Sequence, residues 1–453
     1  MRTFLRARVF AVAASALFAA AAAFAQAAVD PGLEQLIASI RAIDNHAHPT
    51  RCVSPGEPAD DEVDQIPVDA FAEFLLPPGL DPNNPALREA WRALYDWTPE
   101  QAAAATEADV VAARERIQRE QGDGYGNWVL DRMGVETMLA NRIATGRCLA
   151  APRFRWVSFV DALIFPLRND ALYALNPDTR GAMPGVERLL RRYLKEAGVA
   201  ELPKDLPTYL SRVVTPTLER QRKAGALAVK FEAAYLRPLD FADVPQREAE
   251  RVYARYVTGG PAPASEYRAL QDFLFRYIAR EAGRLGLAVH LHVLGTGAGS
   301  YYAGKGSEPW LLEPVFNDAA LRKTRFVLVH GGWPWTDAVG MLFYKPNVYA
   351  DFSAQVFLLP PAALAGVLRG WLAQRPERVL FGTDAFPVTP SVGWEETGWL
   401  EARNARRALG LALTGMLRDG EVDRLRAEQL ARMVLRENAE RLYSLAGAAP
   451  PAP

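Results

Sequence analysis

All five histidines of this chain lie in or directly after short apolar runs, and that placement restricts the fold more than any other feature of the sequence. His46 and His48 belong to Ala42-Ile43-Asp44-Asn45-His46-Ala47-His48, which Pro49 closes. His290 and His292 repeat the spacing within Leu287-Ala288-Val289-His290-Leu291-His292-Val293. His330 ends Arg325-Phe326-Val327-Leu328-Val329-His330, and Asp384 follows Arg378-Val379-Leu380-Phe381-Gly382-Thr383. Apolar, β-branched runs of this length read as buried strands. Residues i and i+2 of a strand point to one face, so each His-x-His offers two imidazoles side by side, as a metal ion requires.

Further runs at residues 134–141, 154–160, 226–232 and 347–352 bring the expected strands to eight. Helical stretches are expected between them, around residues 67–76, 86–95, 100–121, 185–196, 206–224 and 265–285, with a helical C-terminal part over 394–446. Strands alternating with helices argue for parallel βαβ units and the α/β class. Polar groups from strands one, five, six and eight converge only if the sheet closes. The expected fold is therefore a (β/α)8 TIM barrel over residues 30–446, with a helical insertion after the first strand and its site at the C-terminal strand ends. An open doubly wound sheet would instead gather its site at one switch point.

Composition removes some classes of partner. The formal net charge is -1 and there is no long basic run, so no nucleic-acid partner is expected. Arg2, Arg6 and Arg8 precede an apolar stretch from Val9 to Ala23, and Ala23-Phe24-Ala25 has the small-x-small form of a cleavage site. Residues 1–25 read as a signal peptide, giving a periplasmic or secreted protein with no membrane anchor after cleavage. Residues 447–453 read as a disordered tail. Cys52 and Cys148 are the only cysteines. Export would permit a bond between them, but the reading leans to two buried thiols.

The ordered set His46-x-His48, His292, His330 and Thr383-Asp384 resembles the metal-dependent amidohydrolase superfamily, in particular its amidohydrolase-related and FluG-type branch. Ala233-Ala234-Tyr235 and Glu437-Asn438-Ala439-Glu440-Arg441-Leu442 are similar to further stretches of that family. The resemblance implies an exported hydrolase that cuts a C–N or C–O bond of a small molecule with metal-activated water. Non-oxidative decarboxylation is the alternative within the family, and an inactive ligand-binding barrel the alternative outside it. Imidazoles with a carboxylate suit zinc better than calcium or magnesium, as one ion or two.

The metal ligands are expected to be His46, His48, His292 and Asp384, with Asp384 also the general base and His330 polarising the substrate carbonyl or, in a two-metal site, acting as a ligand instead. His292 is preferred over His290 because it lies nearer the strand end. His290 and Glu232 are expected behind the ligands. Lys230 would bridge two metals, bind a substrate carboxylate or pair with Glu232. Arg237, Tyr235 and Trp333 are candidate substrate contacts, and Tyr301, Tyr302, Trp310 and Trp335 could extend an aromatic wall. Gly295-x-Gly297-x-Gly299 reads as a βα loop rather than a phosphate cradle. Substrate identity and oligomeric state, a homo-oligomer included, stay open.

Overall fold

A computed structural model of the chain describes residues 28–445, apart from 55, 72, 75 and 82. The expected signal peptide and C-terminal tail lie outside the described residues. Eight parallel strands follow one another in sequence order: β1 (Ala42–Ala47), β2 (Val135–Arg142), β3 (Phe154–Phe159), β4 (Ala228–Phe231), β5 (Ala288–His292), β6 (Phe326–Val329), β7 (Val348–Asp351) and β8 (Val379–Leu380). Backbone hydrogen bonds from Asn45 N to Phe381 O (2.9 Å), Asp384 N to His46 O (2.7 Å) and His48 N to Ala385 O (2.7 Å) close the sheet into a barrel.

The strands divide their side chains as the period of two demands. Ile43, Leu139, Val157, Ala288, Val327 and Leu380 pack together as one buried cluster. Their sequence neighbours, such as Phe326, Leu328 and Val289, join the larger cluster beneath the helices. Small and branched residues inside make the barrel a packed core rather than a pore. On β1 the register shifts between Asp44 and Ala47. That irregularity changes the phase of the strand, so Ile43 joins the inner cluster while His46 and His48 both reach the site.

Helices Pro85–Tyr95, Pro99–Ala104, Glu107–Gln121 and Tyr125–Met133 lie between β1 and β2. The single helix expected over 100–121 is divided because Thr106 starts a new one, its hydroxyl accepting from Asp109 N in a reciprocal capping box. These helices dock on the long helix Trp394–Arg418 through buried polar groups. Arg114 Nη2 donates to Glu396 Oε2 (2.7 Å), Tyr125 OH to Glu395 Oε1 (2.7 Å) and Tyr95 OH to Glu396 Oε1.

Two expectations are corrected. The helix expected at 67–76 is absent; its described residues hold only a three-residue 3-10 turn, Val68–Ala70. Pro67, Pro77 and Pro78 bracket the segment, which instead crosses the barrel mouth, where Ser300 N donates to Glu73 O (3.1 Å) and Phe74 bridges Gly299. Cys52 and Cys148 form a disulfide with Cα atoms 5.7 Å apart, so they are not separate thiols. The bond ties the loop after β1 to the loop before β3. Among the described residues, no helix is long and apolar enough to cross a membrane.

Candidate metal centre

The strands deliver their polar ends to one place. His46 Nε2 lies 3.3 Å from His48 Nε2 and 3.1 Å from Asp384 Oδ1, and His48 Nε2 lies 3.7 Å from the same oxygen. Nitrogen and oxygen ligands about 2.0–2.2 Å from a tetrahedral ion stand about 3.4 Å from one another. These three atoms therefore have the mutual spacing of a ligand set. His330 Nδ1 is 3.8 Å from Asp384 Oδ2, and His330 Nε2 is 3.1 Å from His292 Nδ1. His292 thus adjoins His330 rather than the β1 pair. Its Nε2 is buried with no hydrogen-bond partner among the described residues. A buried imidazole nitrogen left unpaired at this site is a donor that fits a divalent cation.

Two separate groups of ligand atoms have the proximity that one ion needs: His46, His330 and Asp384, and His48, Asp64 and Glu232. Asp64 Oδ2 stands 2.8 Å from His48 Nδ1. Lys230 Nζ lies 3.4 Å from His46 Nε2, and its charge acts on the carboxylates of both groups.

Burial and the Lys230 ammonium depress the imidazoles, holding His46, His292 and His330 well below their ordinary range and His48 at about 3. All are neutral at pH 7, the state a metal ligand needs. The same burial raises the carboxyls. Asp64 is pushed to about 6 and Asp161 to about 8, Glu232 moves up with them, and Asp384 rises well above the usual carboxylate range. A cation bound among these carboxyls opposes that rise and takes the place of the protons on Asp384 and Glu232.

Two site residues owe their direction to the backbone rather than to strand alternation. Val327 and Val329 of β6 face the inner cluster, so the next residue would face the helices. His330 instead adopts φ 71° and turns toward the site. Asp384 adopts φ 65° just beyond β8. Left-handed backbone costs a residue with a side chain about 1–2 kcal/mol. Hydrogen bonds hold it in place: His330 N donates to Asp351 Oδ1 (2.9 Å) and Asp384 N to His46 O (2.7 Å).

The site opens into a cavity of about 710 Å³ whose lining includes His48, Lys230, Glu232, Tyr235, His292, His330 and Asp384. Other sequence candidates lie elsewhere. His290 sits deeper, its Nε2 2.7 Å from the Tyr443 hydroxyl. Arg237 faces away from the cavity: Nη2 meets Asp272 Oδ1 at 2.6 Å, Nη1 donates to Gln271 Oε1 at 3.1 Å, and the guanidinium lies 4.4 Å from the Phe241 ring centroid. Trp333 gives its carbonyl to Gly295 N (2.6 Å), and its side chain is not part of the cavity wall. Of the other aromatic candidates only Tyr302 lines the cavity, whereas Tyr301 and Trp310 are exposed. Gly297 and Gly299 are packed tightly, the first against Tyr302 and Tyr235 and the second where a Cβ would strike the Asp178 carboxylate.

Several supporting residues escaped sequence reasoning. The Asn141 amide lies 2.8 Å from His46 Nδ1. Ser353 Oγ lies 2.9 Å from His330 Nδ1 and donates to Asp351 Oδ1 (2.5 Å). Asp44, pushed up to about 7 by burial, accepts from Thr383 N (3.0 Å) and Thr383 Oγ1 (2.6 Å). Asp351 had a signal, since it ends an apolar run just as Asp384 follows one. Asp64 had none, because it comes from an irregular loop.

A family model described as amidohydrolase matches residues 165–445. The FluG protein of Emericella nidulans is 29% identical over 235 residues, which are 49% of this chain and 26% of that protein. The match therefore spans about a quarter of that relative's length. Among solved structures, a candidate metal-dependent hydrolase from Lactobacillus casei superposes with a TM-score of 0.57 at 15% identity, covering 92% of this chain and 98% of its own. Glucuronate isomerase from Caulobacter crescentus superposes with a TM-score of 0.54 at 14% identity, covering 93% and 95%. Uronate isomerase from Thermotoga maritima gives 0.52 at 13%, covering 91% and 96%. At these identities the structural likenesses bear on the fold alone.

Proposed function

This chain belongs to the amidohydrolase family, and on that premise we propose that it is a metal-dependent hydrolase that cleaves a C–N or C–O bond of a small molecule. One observation carries the reading: His46 Nε2, His48 Nε2 and Asp384 Oδ1 lie 3.1–3.7 Å from one another where a large cavity meets the barrel. A divalent ion held by His46, His48 and Asp384, with His292 or His330 completing the set, supplies Lewis acidity and lowers the pKa of water to about 7; zinc is the ion this donor set favours.

The chain's own groups account for the remaining chemistry. Asp384 is the only residue of the triad with a spare carboxylate oxygen, and that oxygen accepts the proton of the attacking water. The same carboxyl returns the proton to the leaving nitrogen or oxygen. His330, its Nδ1 oriented by Ser353 Oγ at 2.9 Å, presents its Nε2 lone pair to the site as a ligand that completes the set. Lys230 balances the negative charge of the carboxylates around it. The cavity's apolar walls exclude competing water.

Export to the periplasm or beyond is part of the proposal, supported by the disulfide between Cys52 and Cys148, a bond of oxidising compartments. The test is turnover in 18O-labelled water by the metal-loaded enzyme. Hydrolysis places the label in the released acid, and His46→Ala and Asp384→Asn each lower kcat/KM by at least about a thousandfold. Carbon dioxide release without label would replace hydrolysis with decarboxylation. An unlabelled isomer of the substrate would replace it with isomerisation.

A further inference from the structure

The walls of the cavity have a composition that the metal centre does not explain. One flank is built from Phe71, Tyr235 and Tyr302, with ring centroids 5.4 Å apart for the Phe71–Tyr235 pair and 5.2 Å for Tyr235–Tyr302. Tyr235 also lies 4.6 Å from the His292 ring, so this flank begins at the metal ligands and leads outward. Phe357, Leu358 and Phe386 form another part of the wall, with the two phenyl rings 6.0 Å apart. The Tyr302 hydroxyl is engaged by Ser307 Oγ, which leaves its ring as the surface offered to a ligand.

The lining offers a remote anion no partner. Its acidic residues are Asp60, Asp64, Asp69, Glu232 and Asp384. Asp60 is neutralised by Arg142, whose Nη1 stands 2.7 Å from Asp60 Oδ2. Asp64, Glu232 and Asp384 belong to the metal centre and Asp69 is exposed, while the one cation among the described lining residues, Lys230, is held 3.4 Å from His46 Nε2 at that centre. No arginine is among the described lining residues; Arg237 is turned away and paired with Asp272 at 2.6 Å. A carboxylate or phosphate reaching the outer walls would lose its water and meet rings, with no cation among the described residues there to pair with. Burying a charge without a partner is among the most unfavourable events a binding site can impose.

We propose that the substrate carries, on the side remote from the bond that is cut, an apolar group, aromatic by preference, that has no negative charge. This rests on the metal-dependent hydrolase reading and narrows it. Acylated or esterified arenes and uncharged or cationic amides fit the walls. Sugar acids and phosphorylated compounds do not.

The test separates the two layers of the argument by using ligands that share a metal-binding head. 3-Phenylpropanohydroxamic acid and succinic acid monohydroxamate differ only in ending on a phenyl ring or a carboxylate. Their binding to zinc-loaded protein is measured by titration calorimetry, with chelator-treated protein as the reference. The expected result is metal-dependent binding in which the phenyl compound is tighter by about 30-fold or more, the scale set by burying one ring. Leu358→Arg, which places a cation on a partly exposed wall residue away from the metal ligands, shifts the ratio at least about tenfold toward the carboxylate compound. Metal-dependent binding with equal affinities, or with the carboxylate tighter, overturns the substrate class while leaving the metal centre intact. An unchanged ratio in Leu358→Arg overturns the assignment of that wall to the remote group. Binding that ignores the metal, or no binding of either compound, overturns the hydrolase reading and this proposal together.

Discussion

His330 and Asp384 share a left-handed backbone, and the groups that hold it reach well beyond the metal ligands. Asp351 is the hub. It accepts from His330 N (2.9 Å), Ser353 N (3.1 Å), Ser353 Oγ (2.5 Å) and Asn45 Nδ2 (2.6 Å). Asp351→Asn would turn an NH2 group toward donors, leaving buried N–H groups unpaired at a cost of about 1–3 kcal/mol. Urea denaturation should show that loss, with kcat lower by about 10- to 100-fold because His330 is no longer oriented. His290 gives a prediction in pH. Burial first, and then the Lys230 charge, lower it to about 3 from an ordinary 6.5. Below pH 6.5 the unfolded chain takes up a proton there and the folded chain does not, so stability falls as pH drops from 6.5 toward 3. His290→Gln, which can keep a hydrogen bond to Tyr443, should flatten that fall by up to about 1.4 kcal/mol per pH unit. Unfolding free energies of variant and wild type between pH 7 and 4 check it, and parallel curves would contradict it.

Elements were legible in proportion to how far strand alternation governed them. All eight strands could be read from apolar runs, and His290, His292 and Lys230 face inward as a period of two requires. The directions of His46, His330 and Asp384 could not be derived that way, since a register shift in β1 and two left-handed residues decide them. The roof of the cavity was misread for a different reason. Residues 67–76 have helical composition, but the prolines at 67, 77 and 78 bracket them, and Glu73 and Phe74 pair with the β5 loop across the mouth. The Glu437–Leu442 motif, noted as a family likeness, has a structural role. Asn438 Nδ2 donates to Val379 O (2.8 Å) and Pro376 O (2.7 Å), anchoring the last helix on β8. The disulfide belongs to this scale as well, because it closes a loop between residues 96 apart that holds every helix between β1 and β2. Cys52→Ala with Cys148→Ala should lower stability by about 2–5 kcal/mol through the freer unfolded chain. Guanidinium denaturation of the double variant measures this, and an unchanged midpoint would contradict it.

On the scale of the whole molecule, closing the barrel is what turns scattered residues into a site. Ligand candidates from both ends of the chain, His46 and Asp384, lie 3.1 Å apart only because β8 returns to β1. The surrounding burial keeps the imidazoles neutral and raises the Asp384 and Glu232 carboxyls, whose protons a divalent cation displaces. Cation uptake should therefore release protons at neutral pH and raise the melting temperature, since an ion bound only by the folded state stabilises it. The most direct measurement is elemental analysis of the purified protein, before and after exhaustive chelation and zinc reconstitution, alongside His46→Ala. The predicted result is one to two equivalents of divalent transition metal per chain, lost on chelation, regained on reconstitution and markedly reduced in the variant. Retention of less than about a tenth of an equivalent by the wild type, even with zinc in excess, would contradict the metal centre and the function built upon it.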